Sequence, residues 1–323
     1  MKNILNFVKS YSIAVAVPVL LILVLLLVSP ETRSWGAVAS LLQQSFAPAI
    51  LGWGVLLSMK VGNWDFSIGA RYVLAAILAG NLAMQFSLGL IGFIVLAMVL
   101  SIAMGYIVGY TYRLLRIPTL IASIGLMLIF ESLTRIIYNG GGLNLTSDYL
   151  LLGAFPWNLI MFVLCFAFAY WLYHKRRLGY NVRAVGSNAT VAQTNGINAE
   201  KTKAMALIVS GVFAGLYAIL SLSTSGVISA VSGTMGSAST VFDAMMCVLI
   251  GMAIAGKGSV IFGVYVGAII TQILKMGMMA IGVPTTFNKV IIGIVVVLFM
   301  VASSRSDLIG KLKAKLFKKK AAA

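Results

Sequence analysis

The 323-residue sequence has little of what a water-soluble catalytic domain needs. Only 10% of its residues are charged, Asp and Glu together number 7, and it has one histidine and two cysteines. A soluble domain carries about 25% charged residues, so an ordinary soluble domain is excluded. The cysteines, Cys165 and Cys247, lie in separate apolar stretches, and His174 is the one histidine. This spacing excludes a zinc site built from them.

Catalytic motifs are also missing. The sequence has no close carboxylate pair, no Ser/His/Asp set around His174 and no HExxH helix. The segment Gly251–Ser259 (GMAIAGKGS) is similar to a phosphate-binding loop, but Gly258 stands where that loop needs a hydroxyl for magnesium. It also joins two apolar stretches, which predicts a tight turn. We therefore expect no enzyme activity, no bound nucleotide and no cofactor in this chain.

Apolar residues dominate the sequence, at 61% with a mean hydropathy of +1.03. A membrane-spanning helix needs about 20 apolar residues, so the chain has room for about ten. The apolar runs predict an all-α integral membrane protein with spans near 11–28, 36–59, 66–83, 88–112, 117–138, 157–173, 204–224, 239–256, 259–282 and 284–302. We expect the first to be an uncleaved span and the second to be interrupted by Gln43, Gln44 and Pro48.

The net charge of +17 fits a membrane protein without any nucleic acid partner, because cytoplasmic loops collect Lys and Arg. With the N-terminus inside, every Lys and Arg except Arg33, Arg135, Lys275 and Lys289 is assigned to the cytoplasmic side, Arg71 included. We therefore expect a membrane protein with both termini cytoplasmic. Its parts are an N-terminal segment (1–10), a transmembrane domain (11–302) and a basic tail (303–323) that meets anionic lipid.

The longest hydrophilic connection, 174–203, is cytoplasmic in this orientation. Its second half is compatible with helix and is broken at Asn195-Gly196. It is either a basic loop that serves only orientation or the surface that a cytoplasmic partner grips. On the opposite side, the connection 139–156 begins with three glycines.

Polar residues inside the predicted spans are few, and acids there are costly unless they face the protein interior or a water-filled path. Asp65 also fits a helix N-cap, and Glu131 fits a simple internal hydrogen bond. The candidates for a translocation path or gate are Asp65, Ser67, Asn81, Glu131, Asp243 and Gln272. Glycines four apart, at Gly105/Gly109, Gly211/Gly215 and Gly263/Gly267, predict close helix packing.

Four segments in order resemble the permease subunits of ribose-type (simple sugar) ABC importers, within the branched-chain amino acid/monosaccharide permease superfamily. They are Asn63–Ala70 (NWDFSIGA), Ile117–Gly125 (IPTLIASIG), Val182–Asn198 (VRAVGSNATVAQTNGIN) and Ser210–Leu216 (SGVFAGL). The resemblance covers about residues 35–305. It departs from the family at Trp64 and in the glycine-rich turn at Gly251–Ser259, and these departures leave the identity of the solute open.

The resemblance implies two inverted five-helix halves, a permease dimer, two cytoplasmic ATP-binding subunits and an extracytoplasmic substrate-binding protein. It makes 174–203 the ATPase-coupling loop, with Arg183, Gly186, Asn188, Ala192, Gly196 and Ile197 as its key residues. We expect a small neutral solute, a monosaccharide first, because the spans offer amides and hydroxyls without clustered charge. The alternatives are nucleosides, a furanosyl signal or branched-chain amino acids. An ion-coupled secondary carrier and a membrane-embedded enzyme are alternatives of a different class.

Overall fold

The computed structural model describes residues 16–23, 25–26, 34–255, 258–284, 287, 290–291, 293–294 and 297. The predicted N-terminal segment and basic tail lie outside the described residues, as do Gly256, Lys257 and much of the tenth predicted span. The chain divides into two compact units. One consists of residues 43–245, and the other combines residues before 43 with residues after 245.

The structure is mainly helical. Its α-helices are α1 (16–23, continuing at 25–26), α2 (Trp35–Gln44), α3 (Phe46–Lys60), α4 (Ser67–Gln85), α5 (Gly89–Leu115), α6 (Thr119–Ile136), α7 (Trp157–Lys175), α8 (Arg177–Ser187), α9 (Ala189–Thr194), α10 (Ala199–Ser225), α11 (Ala238–Ala255) and α12 (Val260–Ala280). Two short strands, β1 (Leu143–Asn144) and β2 (Val227–Ile228), pair antiparallel.

Eight helical segments in the described part of the chain are long and apolar enough to cross a membrane. Their bounds agree with the predicted spans to within a few residues, and the second predicted span is two helices, α2 and α3, separated by Ser45. Residues Gly251 to Ala255 are the end of α11, so the first part of the segment that is similar to a phosphate loop is helical, whereas a phosphate loop follows a strand.

Small residues allow α5 and α10 to pack closely, as the glycine spacing predicted. A Cβ on Gly105 would lie 2.8 Å from the carbonyl oxygen of Ile208, and one on Gly211 would lie 2.7 Å from that of Ser101. The Ser101 hydroxyl donates a hydrogen bond of 2.7 Å to the carbonyl of Gly211. In apolar surroundings such close backbone approach gives both dispersion contact and hydrogen bonding. This packing fixes α10, which carries much of the site below.

The connection 139–156 and the segment that follows α10 are joined by the β1–β2 pair. Gly226 ends α10 in the left-handed conformation (φ +72°), where a side chain is disfavoured, and its carbonyl accepts a hydrogen bond from the amide of Leu145. The pair thereby anchors the first part of the segment 226–237. The rest of that segment leads to the start of α11.

Candidate functional site

A buried polar network lies where the chain enters α4. The Asp65 carboxylate accepts hydrogen bonds from the backbone amide of Ser67 (3.1 Å) and from its hydroxyl (2.6 Å). It also forms an ion pair with Arg71, and both side chains are almost completely buried. Asp65 therefore binds the first residue of α4 from one position before the N-cap residue, Phe66, which makes no side-chain cap of its own. The Asp65 carboxylate also neutralises the charge of Arg71, which a role as a helix cap alone would not require.

Arg71 corrects the charge assignment made from the sequence, which placed it with the cytoplasmic cations. Its side chain is 0% exposed and points toward α10, where it donates to the carbonyl of Leu207 (3.2 Å) and the hydroxyl of Ser210 (3.0 Å). The Ser210 hydroxyl also donates to Asp65 at 3.3 Å. The signal that could have revealed this pair is the six-residue spacing of opposite charges inside an otherwise apolar span.

Glu131 of α6 binds the start of α11, as Asp65 binds the start of α4. Its carboxylate accepts hydrogen bonds from the amides of Met235 (3.0 Å) and Ser237 (2.8 Å) and from the Ser237 hydroxyl (2.6 Å). These donors lie at the N-terminal end of α11, where a negative charge is favoured by the helix dipole. Arg135, one turn further along α6, donates to the carbonyls of Val231 (2.7 Å) and Gly233. Thus α6 holds the segment that precedes α11.

The starts of α4 and α11 are in direct contact within the 43–245 unit. A Cβ on Gly69 would lie 2.5 Å from the carbonyl oxygen of Ser237, so only glycine fits there without a shift. The rings of Phe66 and Phe242 meet edge to face at 5.3 Å between centroids. A buried carboxylate therefore binds each of the two helix starts, Asp65 at α4 and Glu131, from α6, at α11.

The remaining candidate path residues lie on α4, α11 and α12. Asn81 donates from its amide to the carbonyls of Ile77 (2.8 Å) and Gly142 (3.1 Å), and so ties the end of the 139–142 turn to α4. Asp243 is half-buried in α11 and Gln272 is half-buried in α12. Ser67 is the one other candidate that joins Asp65 directly.

The predicted coupling loop is almost entirely helical. The side chain of Asn188 caps α9 by accepting from the amide of Val191 (3.0 Å), and that of Asn198 caps α10 by accepting from the amide of Lys201 (2.8 Å). Such caps satisfy backbone donors that a helix start leaves unpaired. Gly196 lies between the two helices at φ +79°, which confirms the bend predicted at this glycine.

Several residues of the predicted coupling loop attach it to the long apolar helices. Gly186 rests on the backbone of Lys60 at the end of α3, where a Cβ would overlap the Lys60 carbonyl oxygen. Arg183 stacks on the rings of Tyr180 (4.6 Å) and Tyr173 (5.5 Å), which ties α8 to α7. Ala192 is buried, whereas Ile197 is half-buried. The segment is therefore a folded element attached to α3, α7 and α10.

Neither metal ligation nor a reactive cysteine emerges from the geometry. Across the described residues, no three His, Cys, Asp or Glu side chains group as metal ligands. Cys165 and Cys247 are both buried thiols.

Comparison with known proteins identifies the chain. The family model described as "Branched-chain amino acid transport system / permease component" matches residues 37–300, which include the network, the coupling segment and all the helices from α3 to α12. The chain belongs to this family of permeases. Together with the apolar helices, this membership makes the permease a multi-pass membrane protein.

Individual relatives match the permease over most of its length. The ribose import permease protein of Escherichia coli is 24% identical over 290 residues, covering 87% of this chain and 89% of the relative. The galactose/methyl galactoside import permease protein of Salmonella typhimurium is 25% identical over 324 residues, covering 92% and 94%. The autoinducer 2 import system permease protein of Photorhabdus luminescens is 24% identical over 265 residues, covering 79% and 78%. No solved structure is significantly similar to the permease.

Proposed function

We propose that this permease forms the translocation path of an ATP-driven (ABC) importer for a small neutral sugar. The observation that carries the proposal is similarity over nearly the whole chain to permeases named for ribose and galactose import. The buried network supports a neutral solute. Asp65 is neutralised by Arg71, and Glu131 is satisfied by amides and a hydroxyl of the chain itself. Neither acid is left to compensate a cationic solute.

The proposed arrangement has a transmembrane domain at 11–302, with residues 1–10 and 303–323 cytoplasmic, and two inverted five-helix halves. Helices α4 and α11 are the third and eighth of the ten predicted spans, so an offset of five makes them inverted equivalents. The starts of both helices meet at Gly69 and Ser237, and each start donates backbone amides to a buried carboxylate, that of Asp65 for α4 and that of Glu131 of α6 for α11. The permease itself catalyses no reaction and works as a dimer.

The proposed partners are two cytoplasmic ATP-binding subunits and an extracytoplasmic substrate-binding protein. We assign the ATPase contact to the coupling segment 174–203, because its two short helices, α8 and α9, are attached to the ends of α3, α7 and α10. A movement of α8 would be transmitted to α3 through the contact between Gly186 and the backbone of Lys60. A movement of α9 would be transmitted to α10 at its first turn, which Asn198 caps. In α10, Leu207 and Ser210 accept hydrogen bonds from Arg71. The buried network is thus connected to the coupling segment through α10.

Calorimetry on the cognate binding protein tests the solute class. Pentoses, hexoses, nucleosides, a furanosyl signal and branched-chain amino acids would each be titrated under the same conditions. The proposal predicts micromolar binding of a monosaccharide. Micromolar binding of an amino acid, with none of any sugar, would overturn it.

Cysteine cross-linking tests the partner contact. A cysteine at exposed Thr190 in α9 should cross-link to the ATP-binding subunit, whereas one at exposed Ile91 in α5 should not. A cross-link from position 91 alone would contradict the assignment of the coupling segment.

A further inference from the structure

A basic cleft lies beside the coupling segment but outside the buried network. Its volume is about 410 Å³, and it is bounded by the turn between α5 and α6, by Asn63 and Trp64, and by the first turn of α10. Three cations line it, Arg113, Arg116 and Lys203, against the single carboxylate of Glu200. Within the described part of the chain, Glu200 forms no ion pair with any of them.

The shape of the cleft distinguishes it from an ordinary basic loop. Arg116 ends α5 in the left-handed conformation (φ +52°), so the chain reverses sharply and enters α6 after Pro118. Arg113 and Arg116 are three residues apart and lie together at the C-terminal end of α5. The half-exposed indole of Trp64 and the ring of Tyr112 also line the cleft. Aromatic rings of this kind are enriched at the membrane–water interface.

An apolar shoulder flanks the cleft on the same two helices. Its residues are 42–64% exposed: Leu114 and Leu115, which lie between the two arginines in sequence, and Leu120 and Ile121 in the first turn of α6. Both α5 and α6 are long and apolar enough to cross the membrane, so this turn lies where a span meets the membrane surface. Exposed leucines at that level face acyl chains, and a cationic cleft beside them faces head groups.

We propose that this cleft binds the head group of an anionic phospholipid, with the acyl chains lying on the leucine and isoleucine shoulder. The bound lipid would join three elements that already contact each other there. Asn63 donates from its amide to the carbonyl of Lys203 (3.1 Å), and the amide of Trp64 donates to the Thr119 hydroxyl (3.4 Å). The next residue is Asp65, so the lipid would brace the entrance to the buried network. This inference goes beyond the proposed transport function and does not depend on the solute.

The test measures lipid preference on the complete importer in nanodiscs. Spin-labelled phosphatidylglycerol and phosphatidylcholine report the preference for anionic lipid by electron paramagnetic resonance. Replacing Arg113, Arg116 and Lys203 together by Gln should lower that preference at least fivefold, since each cation contributes roughly fivefold near a membrane surface. The control replaces Lys175, Arg176 and Arg177 by Gln, which removes the same charge from the same side of the protein.

The control should retain the preference of the original protein. An equal loss in both triple variants would mean generic attraction and would overturn the proposal, as would no loss in the first. A charge-preserving variant, with Arg113 and Arg116 changed to Lys and Lys203 to Arg, should keep the preference and so separates binding from misfolding.

Two further arms distinguish other occupants. Millimolar inorganic phosphate should leave the preference unchanged, and displacement of the lipid by phosphate would show that the cleft is a site for free anions. The preference should also be the same with and without the ATP-binding subunits. Loss of the preference on their addition would show that the partner covers the cleft, and the lipid proposal would fail.

Discussion

The Asp65–Arg71 ion pair offers a quantitative test of how α4 and α10 are held together. Arg71→Leu removes the guanidinium and leaves the carboxylate buried with only the Ser67 and Ser210 donors. Asp65→Leu leaves a buried cation whose remaining partners are the Leu207 carbonyl and the Ser210 hydroxyl. Breaking a buried pair by removing one partner costs about 3–5 kcal/mol. We expect each single variant to lose that much stability.

The double variant decides between a structural ion pair and two independent charges. With both partners replaced by leucine, no uncompensated charge remains, so the double variant should be more stable than either single one. A double-mutant cycle should give a coupling free energy of a few kcal/mol. The measurement is reversible unfolding of the purified permease in mixed micelles at increasing denaturing detergent, followed by tryptophan fluorescence.

The same single and double variants also test whether the ion pair is needed for transport in addition to stability. If the pair transmits motion from α10 to α4, the double variant should fold and assemble but lose sugar-stimulated ATP hydrolysis. Arg135→Leu serves as the comparison, because its guanidinium binds backbone carbonyls of the segment before α11 without an ion pair. Additive effects at Asp65 and Arg71, or a loss below about 1 kcal/mol at either, would refute the reasoning.

Three further predictions follow from close contacts. Gly69→Ala should abolish uptake, because the added Cβ would lie too close to the Ser237 carbonyl. The control Gly125→Ala should be tolerated, because no atom lies within 4 Å of its added Cβ. Full uptake by the Gly69 variant would contradict the contact between α4 and α11. Gly186→Ala should displace α8 from α3 and lower ATP-coupled uptake with insertion intact, as immunoblotting of membranes would check. Glu131→Gln keeps one acceptor oxygen and should cost about 1–3 kcal/mol in the same unfolding assay, and an unchanged midpoint would count against its role.

Long apolar runs were enough to predict the eight helical segments that could cross a membrane in the described part of the chain, although ten spans were expected. In the coupling segment, the sequence predicted helix-compatible residues from Ala189 to Lys203 with a break at Asn195-Gly196, but it did not predict α8. Asn188 and Asn198 are N-caps, and Gly196 marks the bend between them. Glycine spacing along each helix predicted close packing at Gly105/Gly109 and Gly211/Gly215, but the contact of α5 with α10 came from the structure.

The buried network was only half predicted. The cost of a buried acid singled out Asp65 and Glu131, but their partners depend on contacts across the chain. Arg71 was assigned to the cytoplasm because a loop cation and a buried cation near a span end look identical in sequence. The role of Glu131 depends on the amide of Ser237, 106 residues away, which no local pattern encodes.

Uptake by vesicles reconstituted with the permease, the ATP-binding subunits and the substrate-binding protein tests the central claim most directly. The account predicts that a radiolabelled monosaccharide accumulates inside only when ATP and the binding protein are both present. A gradient of protons or sodium should have no effect. Accumulation driven by such a gradient, without ATP or the binding protein, would contradict the account and identify an ion-coupled carrier.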